Sequence, residues 1–238
     1  MSATRIQPKK RRQNRAVTKP AINGSQPETL AELVRQLGGV PLKRILVNPA
    51  PGTATERDLI AALEAPRKRI CELVDGILVE KPMGTKEAIL AGWIVHQFWL
   101  YLGKNDLGVP VPADGPLRLW LGLVRIPDVS FISWGRIPGG EIPEQPIASL
   151  VPDLAIQVLS KGNTPREMAR KLGEYFKAGV RLVWLIDPRK RTARVYTSPT
   201  SFCTLHDDES LDGGDILPGF LLPLKQLFAM GDPKRKKR

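Results

Sequence analysis

The stretch from Arg125 to Asp187 constrains the fold more than any other part of the chain. It contains the apolar segments VSFI and LAIQVL, which follow Pro127-Asp128 and Pro152-Asp153, and it ends on a third apolar segment, RLVWLID. Short apolar runs bounded by proline, glycine and aspartate are typical of buried β-strands. The sequence therefore predicts three core strands, the first of them a single strand over 124–134.

A helix is predicted between the second and third of these strands, over residues 165–178. Asn163 or Thr164 supplies the N-cap, Pro165 stands where a missing N–H costs nothing, and Gly179 ends the helix.

Two further elements complete the predicted fold. Apolar residues at helical spacing predict a longer helix over 86–102, and Asp75-Gly76 predicts the turn of a β-hairpin over 69–80. The pattern indicates an α+β fold with three-layer α/β character. We expect a central mixed sheet flanked by the two helices, with the strands that carry Asp128 and Gln157 side by side.

The positive charge is confined to the two ends of the chain. Residues 1–20 and 233–238 carry twelve basic residues and no acidic one, which equals the net charge of +12. The remainder is neutral, so the basic residues of Lys9–Arg12 and Lys234–Arg238 are expected to make non-specific, salt-sensitive contacts with DNA.

Composition also predicts the domain organisation. We expect a disordered basic arm at 1–24, a helical extension at 25–66, one main domain at 67–230 and a basic tail at 231–238.

Several functional classes are excluded by what the sequence contains. Cys71 and Cys203 form no CxxC pair, and His96 and His206 are the only histidines, which argues against a disulfide framework, a zinc site and a histidine-based triad. The N-terminus lacks the apolar region of a secretory signal, and the apolar stretch at 88–102 is shorter than the ~20 residues that span a bilayer. We expect a cytoplasmic protein, with association with the nucleoid as an option, and no membrane partner.

Asp128 and Gln157 are the first candidate site residues. Asp128 lies between apolar neighbours, so a partly buried carboxylate there needs a partner, although Pro-Asp is also a common way to start a strand. Gln157 lies inside LAIQVL, where an amide is either hydrogen-bonded to backbone or serves as a neutral oxygen ligand. Asp153 is interpreted as a cap at the start of the strand.

Lys171 is the third candidate. It borders the apolar stripe of the predicted 165–178 helix, where a lysine commonly buries its stem and keeps its charge in water. If it points toward the same cavity as Asp128 and Gln157, it can stabilise the charge that develops on a phosphate in a transition state.

These segments together resemble the Uma-type restriction-endonuclease-like domain family of the PD-(D/E)XK nuclease superfamily. The resemblance covers residues 69–228. The segments that carry it are CELVDGILVEKPMG, VRIPDVSFI, PDLAIQVLS, GNTPREMARKLGEYFKAGVRLVWLIDP and LDGGDILPGF.

The resemblance implies a Mg²⁺- or Mn²⁺-dependent DNA endonuclease. Asp128 and Gln157 take the metal-binding positions and Lys171 matches a catalytic lysine shifted onto the helix. Leu159 stands at the usual two-residue offset of the lysine, in keeping with the shift of that lysine onto the helix. The chain departs from the family at Gln157, where glutamate is usual, and at Lys86, near which the family often has a histidine.

Gln157 leaves two functions open. One is an endonuclease that the glutamine weakens, and the other is a catalytically inactive nuclease-fold protein that associates with nucleic acid through its basic tails. A third hypothesis is that the protein has no role with nucleic acid. The sequence leaves open the oligomeric state, with a homodimer as one option, and the roles of Glu80, Lys86 and Asp153.

Overall fold

A computed structural model describes residues 27–82 and 84–232; the predicted arm at 1–24 and residues 233–238 of the predicted basic tail lie outside them. The helices are α1 (Leu30–Gln36), α2 (Glu56–Glu64), α3 (Thr85–Leu102), α4 (Pro165–Ala178) and α5 (Leu224–Gly231). The strands are β1 (Cys71–Val74), β2 (Ile77–Glu80), β3 (Gly108–Pro112), β4 (Leu117–Trp120), β5 (Leu123–Arg125), β6 (Val129–Ser133), β7 (Leu154–Val158), β8 (Leu182–Asp187), β9 (Thr192–Tyr196), β10 (Phe202–Leu205), β11 (Ser210–Asp212) and β12 (Leu221–Pro223).

The strands form a large mixed sheet and two smaller sheets. The large sheet has six strands in the order β10-β9-β8-β7-β6-β3, with β7 and β8 parallel and the other pairs antiparallel. A second sheet has the order β2-β1-β5-β4, and β11 pairs with β12. The α+β fold with a central mixed sheet is confirmed.

The large sheet is covered on both faces. Ile94 and Phe98 of α3 share one apolar core with Ile156 of β7, and Met168 and Leu172 of α4 share another with Ala155 of the same strand. Successive residues of a strand point to opposite faces. Gln157 therefore faces α4, on the same side as Ala155.

The segment 124–134 is two strands instead of the single strand that the sequence predicts. β5 ends at Arg125 in the four-stranded sheet and β6 begins at Val129 in the six-stranded sheet. Pro127 between them has no N–H to offer to a ladder. Asp128 therefore lies where the chain passes from one sheet to the other, directly before β6.

Local sequence explains how α4 and the β1–β2 hairpin form. The Thr164 hydroxyl accepts a hydrogen bond from Glu167 N (3.0 Å), and Gly179 ends α4 with a left-handed φ of 100°. Asp75 and Gly76 have positive φ of 51° and 71°, as a two-residue hairpin turn requires, so the predicted hairpin is confirmed.

The segment before the hairpin packs into the apolar core on the α4 side of the large sheet. Leu33, Leu37, Val40 and Ile45 are buried against apolar residues of α4 and β1–β2. Within residues 27–82 and 84–232, no helix combines the length and apolar character needed to cross a membrane.

Candidate functional site

Asp128 and Gln157 are neighbours across the β6–β7 ladder. Val129 pairs with Ile156 in the antiparallel register, and Asp128 N donates to Ile156 O (3.0 Å), so the next residues along each strand face one another. The adjacency predicted from the sequence is confirmed. Gln157 is buried, while the Asp128 side chain retains 17% exposure.

Both carboxylate oxygens of Asp128 have a partner. Val158 N donates to Oδ2 (2.7 Å), and the Lys81 ammonium lies 2.8 Å from Oδ1. The first contact fixes the carboxylate against the β7 backbone, and the second balances its charge.

Gln157 is held by the α4 residue Tyr175. Its Nε2 donates to the Tyr175 hydroxyl (2.8 Å), and both side chains are buried. Burial raises the pKa of Tyr175 well above its usual value, and the nearby Glu72 carboxylate adds to the effect, so the phenol stays neutral. The amide of Gln157 is thus fixed on the α4 side of the sheet beside Asp128.

Lys171 is inside the protein and is paired with Glu72 of β1. Its Nζ contacts Glu72 Oε1 (3.0 Å) and Oε2 (2.9 Å), and its side chain is 2% exposed. Glu72 also accepts from Arg125 Nη1 (2.7 Å) and from Ile126 N (3.1 Å). The structure thus links Lys171, through Glu72, to a group of charged and polar side chains. We call this group the cluster; its members are Glu72, Lys81, Arg125, Asp128, Gln157, Lys171 and Tyr175.

The buried charge of Glu72 is compensated by two cations. Burial raises its pKa, but Lys171 and Arg125 more than offset that effect and bring the pKa from 4.5 down to about 2. Glu72 is therefore a carboxylate at neutral pH, although it is fully buried.

A second ion pair supports α4 from the N-terminal segment. Arg44 donates two hydrogen bonds to the Glu167 carboxylate in a bidentate pair (2.7 and 2.9 Å), and it also donates to Glu80 O (2.7 Å). Glu174 completes the surroundings by pairing with Arg125 and with Arg170. These pairs fix the distance between α4 and the four-stranded sheet.

The residues whose roles the sequence leaves open make contacts of their own. Glu80 Oε2 lies 3.4 Å from an Arg69 nitrogen, and Lys86 pairs with Asp232 (2.7 Å) on the surface. Asp153 accepts from Ser133 N (2.9 Å) and pairs with Arg136 (2.8 Å). All three have structural partners.

Sequence reasoning missed four residues of the cluster: Glu72, Lys81, Arg125 and Tyr175. Glu72 interrupts the apolar strand CELV in the same way as Gln157 interrupts LAIQVL, so the polar residue inside an apolar strand is the sequence signal for both. Tyr175 follows the apolar periodicity of α4, which accounts for its buried ring but gives no sign of the partner of its hydroxyl. Lys81 follows Glu80 at the end of a strand, a pattern that resembles a surface lysine.

The fold agrees with two comparisons. Residues 58–225 match the Uma2 model, which is described as "Putative restriction endonuclease". The chain belongs to the Uma2 family. The Uma2 match includes every residue of the cluster, and the sequence-based resemblance is confirmed.

A solved structure supports the fold independently. It is the crystal structure of a putative nuclease belonging to DUF820 from Anabaena variabilis ATCC 29413, with a TM-score of 0.63 and 23% identity, over 73% of this chain and 98% of that chain. At this identity the likeness shows the fold. No curated protein matches the chain.

Restriction-endonuclease-like families such as Uma2 typically depend on a divalent metal ion. Among residues 27–82 and 84–232, no group of three or more histidine, cysteine, aspartate or glutamate side chains is arranged to hold one. Asp128 and Gln157 nevertheless offer hard oxygen atoms, and Mg²⁺ is commonly held by one or two carboxylates with water and substrate phosphate completing its shell. The oxygen donors of Asp128 and Gln157 therefore suit Mg²⁺, and Asp128 is the anionic one of the two.

Proposed function

We propose that this protein is a Mg²⁺- or Mn²⁺-dependent endonuclease that hydrolyses phosphodiester bonds of DNA. The observation that carries the proposal is the pairing of Asp128 with Gln157 at the junction of the two sheets. Membership of the Uma2 family and the nuclease-like fold support it.

Asp128 and Gln157 would hold the divalent ion. When bound, such an ion withdraws charge from the phosphate and makes a water molecule a better nucleophile at neutral pH. Asp128 contributes the negative charge, and the Val158 N–H keeps its carboxylate in place. Gln157 contributes a neutral oxygen, and its bond to Tyr175 limits the rotation of the amide.

Lys171 retains the role that the sequence predicts, as the group that orients water or stabilises the transition state. Because Glu72 holds its ammonium, this role requires Lys171 to exchange Glu72 for the phosphate or to act through it. In either case Glu72 keeps the Lys171 ammonium directed into the cluster.

DNA is the proposed substrate, and the basic ends of the chain are proposed to add non-specific contacts. The cations of the cluster, Lys81, Arg125 and Lys171, are paired with carboxylates. We therefore expect the long-range attraction to DNA phosphates to come from the basic tails. A cytoplasmic location beside the nucleoid is part of this proposal.

A second candidate function is a catalytically inactive nuclease-fold protein that binds nucleic acid. The observation that favours it is the neutral balance of the site, since Lys81 already neutralises Asp128 and Gln157 carries no charge. A divalent ion then gains less from binding than it would between two free carboxylates.

Cleavage of supercoiled plasmid over a Mn²⁺ series distinguishes these candidates. The wild type is expected to nick the plasmid, and Asp128→Asn is expected to lose that activity while keeping its fold by circular dichroism. Asp114→Asn, at an exposed aspartate, is the matched control and should cleave normally. DNA binding by the wild type without cleavage at any Mn²⁺ concentration would favour the second candidate. Equal cleavage by wild type and Asp128→Asn would refute the proposed site.

A further inference from the structure

Lys81 is a buried cation placed beside the proposed metal ligands. It follows β2 directly, its side chain is 3% exposed, and its Nζ lies 2.8 Å from Asp128 Oδ1. Its charge also acts on the buried Glu72 carboxylate and contributes to the low pKa of that group. Lys81 therefore lies within the negative part of the cluster.

The ammonium of Lys81 is incompletely bonded for a buried group. It forms an ion pair with Asp128 by distance, but its N–H groups make no directed hydrogen bond to any described residue. Lys171, by comparison, has two close contacts with one carboxylate. A buried ammonium with a single imperfect partner is costly to keep, so Lys81 is the more readily displaced of the two lysines.

The charges next to Gln157 are balanced only while Lys81 is present. Asp128 contributes one negative charge, Lys81 one positive charge, and Gln157 none. A divalent ion added to this group would meet the ammonium at close range. It must therefore displace Lys81 from Asp128 Oδ1 or bind against its repulsion.

We propose that Lys81 acts as the resident cation of the Asp128–Gln157 pair and sets the metal affinity of the site. This inference rests on the proposed function and deepens it. Lys81 occupies the carboxylate oxygen that a metal ion needs, and Gln157, instead of a second carboxylate, matches the single charge that Lys81 supplies.

The structure offers Lys81 a place to move. A cavity of about 410 Å³ is lined by Lys68, Ile70, Glu80 and Lys81. The Glu80 side chain is 32% exposed and its carboxylate contacts Arg69 at 3.4 Å, a weak pair. An ammonium that leaves Asp128 can therefore find water and a carboxylate in this cavity.

Isothermal titration calorimetry tests the proposal by measuring the affinity for Mn²⁺ of the wild type and of three variants that differ in the net charge of the site. The wild-type site has no net charge, Lys81→Met and Gln157→Glu each make it more negative by one, and the double variant by two. We expect affinity for Mn²⁺ to rise in that order, by about tenfold or more for each unit of charge, since a neighbouring charge shifts ionic equilibria by one to three log units.

Two controls separate charge from shape and from distance. Lys81→Arg keeps the charge and should bind Mn²⁺ within about threefold of the wild type, far below the effect expected for losing the charge. Lys86→Met removes an exposed lysine that pairs with Asp232, and should leave the affinity unchanged. A gain in Lys86→Met equal to that in Lys81→Met would mean that overall charge matters and Lys81 does not, which overturns the proposal.

Failure of the Lys81 inference and failure of the proposed function give different results in this titration. If Gln157→Glu binds Mn²⁺ more tightly and Lys81→Met binds like the wild type, Lys81 is only structural, whereas the metal site stands. If no variant binds Mn²⁺, both the inference and the proposed metal dependence fail.

A measurement on the wild type keeps the test decisive if Lys81→Met does not fold. Lys81 is shielded in the resting protein, so an amine-acylating reagent should label it slowly, and saturating Mn²⁺ should increase its labelling several-fold as the ammonium leaves Asp128. Labelling of Lys81, read by peptide mass spectrometry, that does not change with Mn²⁺ would overturn the proposal.

Discussion

The Glu72–Lys171 pair gives the most quantitative test of the charge cluster. Replacing Glu72 by glutamine keeps the size of the side chain but removes the charge that faces Lys171 at 2.9–3.0 Å and Arg125 at 2.7 Å. Arg125 keeps Glu174, whereas the next carboxylate to Lys171 is Glu167 at 4.0 Å. The variant therefore leaves Lys171 buried and poorly compensated.

Two estimates give the expected decrease in the free energy of unfolding for Glu72→Gln. Removing one partner of a buried ion pair typically destabilises a protein by about 3–5 kcal/mol. The depression of the Glu72 pKa from 4.5 to about 2 corresponds to roughly 3 kcal/mol at neutral pH. We therefore expect a loss on the order of 3 kcal/mol in the free energy of unfolding.

Urea unfolding at pH 7 measures this loss, with an unchanged m value showing that the transition stays comparable. Lys171→Met on top of Glu72→Gln should recover at least about 1 kcal/mol relative to the sum of the single variants, because the unpaired charge is gone. Lys68→Met is the control, since its 3.8 Å pair with Asp114 is exposed and should contribute less than about 1 kcal/mol. A cost below about 1 kcal/mol for Glu72→Gln would refute the reasoning.

Three further predictions follow from the same cluster and from the charge distribution. Because the pKa of Glu72 is lowered, its stabilisation is complete above about pH 4.5 and is lost as the pH falls toward about 2, so acid unfolding of Glu72→Gln should show a flatter pH dependence in that window. Gln157→Glu should lower the melting temperature in chelator and show a larger rise on adding Mn²⁺ than the wild type, and equal behaviour in both conditions would make Gln157 a plain core residue. Deletion of residues 1–20 and 233–238 should flatten the salt dependence of DNA binding, and an unchanged slope would place the binding charge on the folded body.

Much of the fold was predictable because its signals are local. The apolar runs around Asp128 and Gln157, the capped α4 helix and the turn at Asp75-Gly76 each lie within a few residues, and each formed as expected. Their pairing followed from the sheet once both strands were recognised. The break of the 124–134 segment into two sheets was missed, although Pro127 in its middle is a recognised obstacle to a continuous ladder.

The partners in the site were less predictable because they come from distant parts of the chain. Glu72 and Lys171 are 99 residues apart, and their contact depends on how the four-stranded sheet meets α4. Lys81 meets Asp128 in the same way, across the junction of the sheets. Periodicity reports which face of an element is buried, but it does not report which charges meet there.

The position of a bound metal ion tests the central claim most directly. Crystals soaked in Mn²⁺, with anomalous diffraction recorded, should show a peak about 2.0–2.5 Å from a carboxylate oxygen of Asp128 and next to the Gln157 amide, with Lys81 moved off Oδ1. That result would establish both the proposed metal site and the displacement of the resident lysine. The absence of a peak there at saturating Mn²⁺, or a peak elsewhere with the Lys81–Asp128 pair intact, would contradict the account.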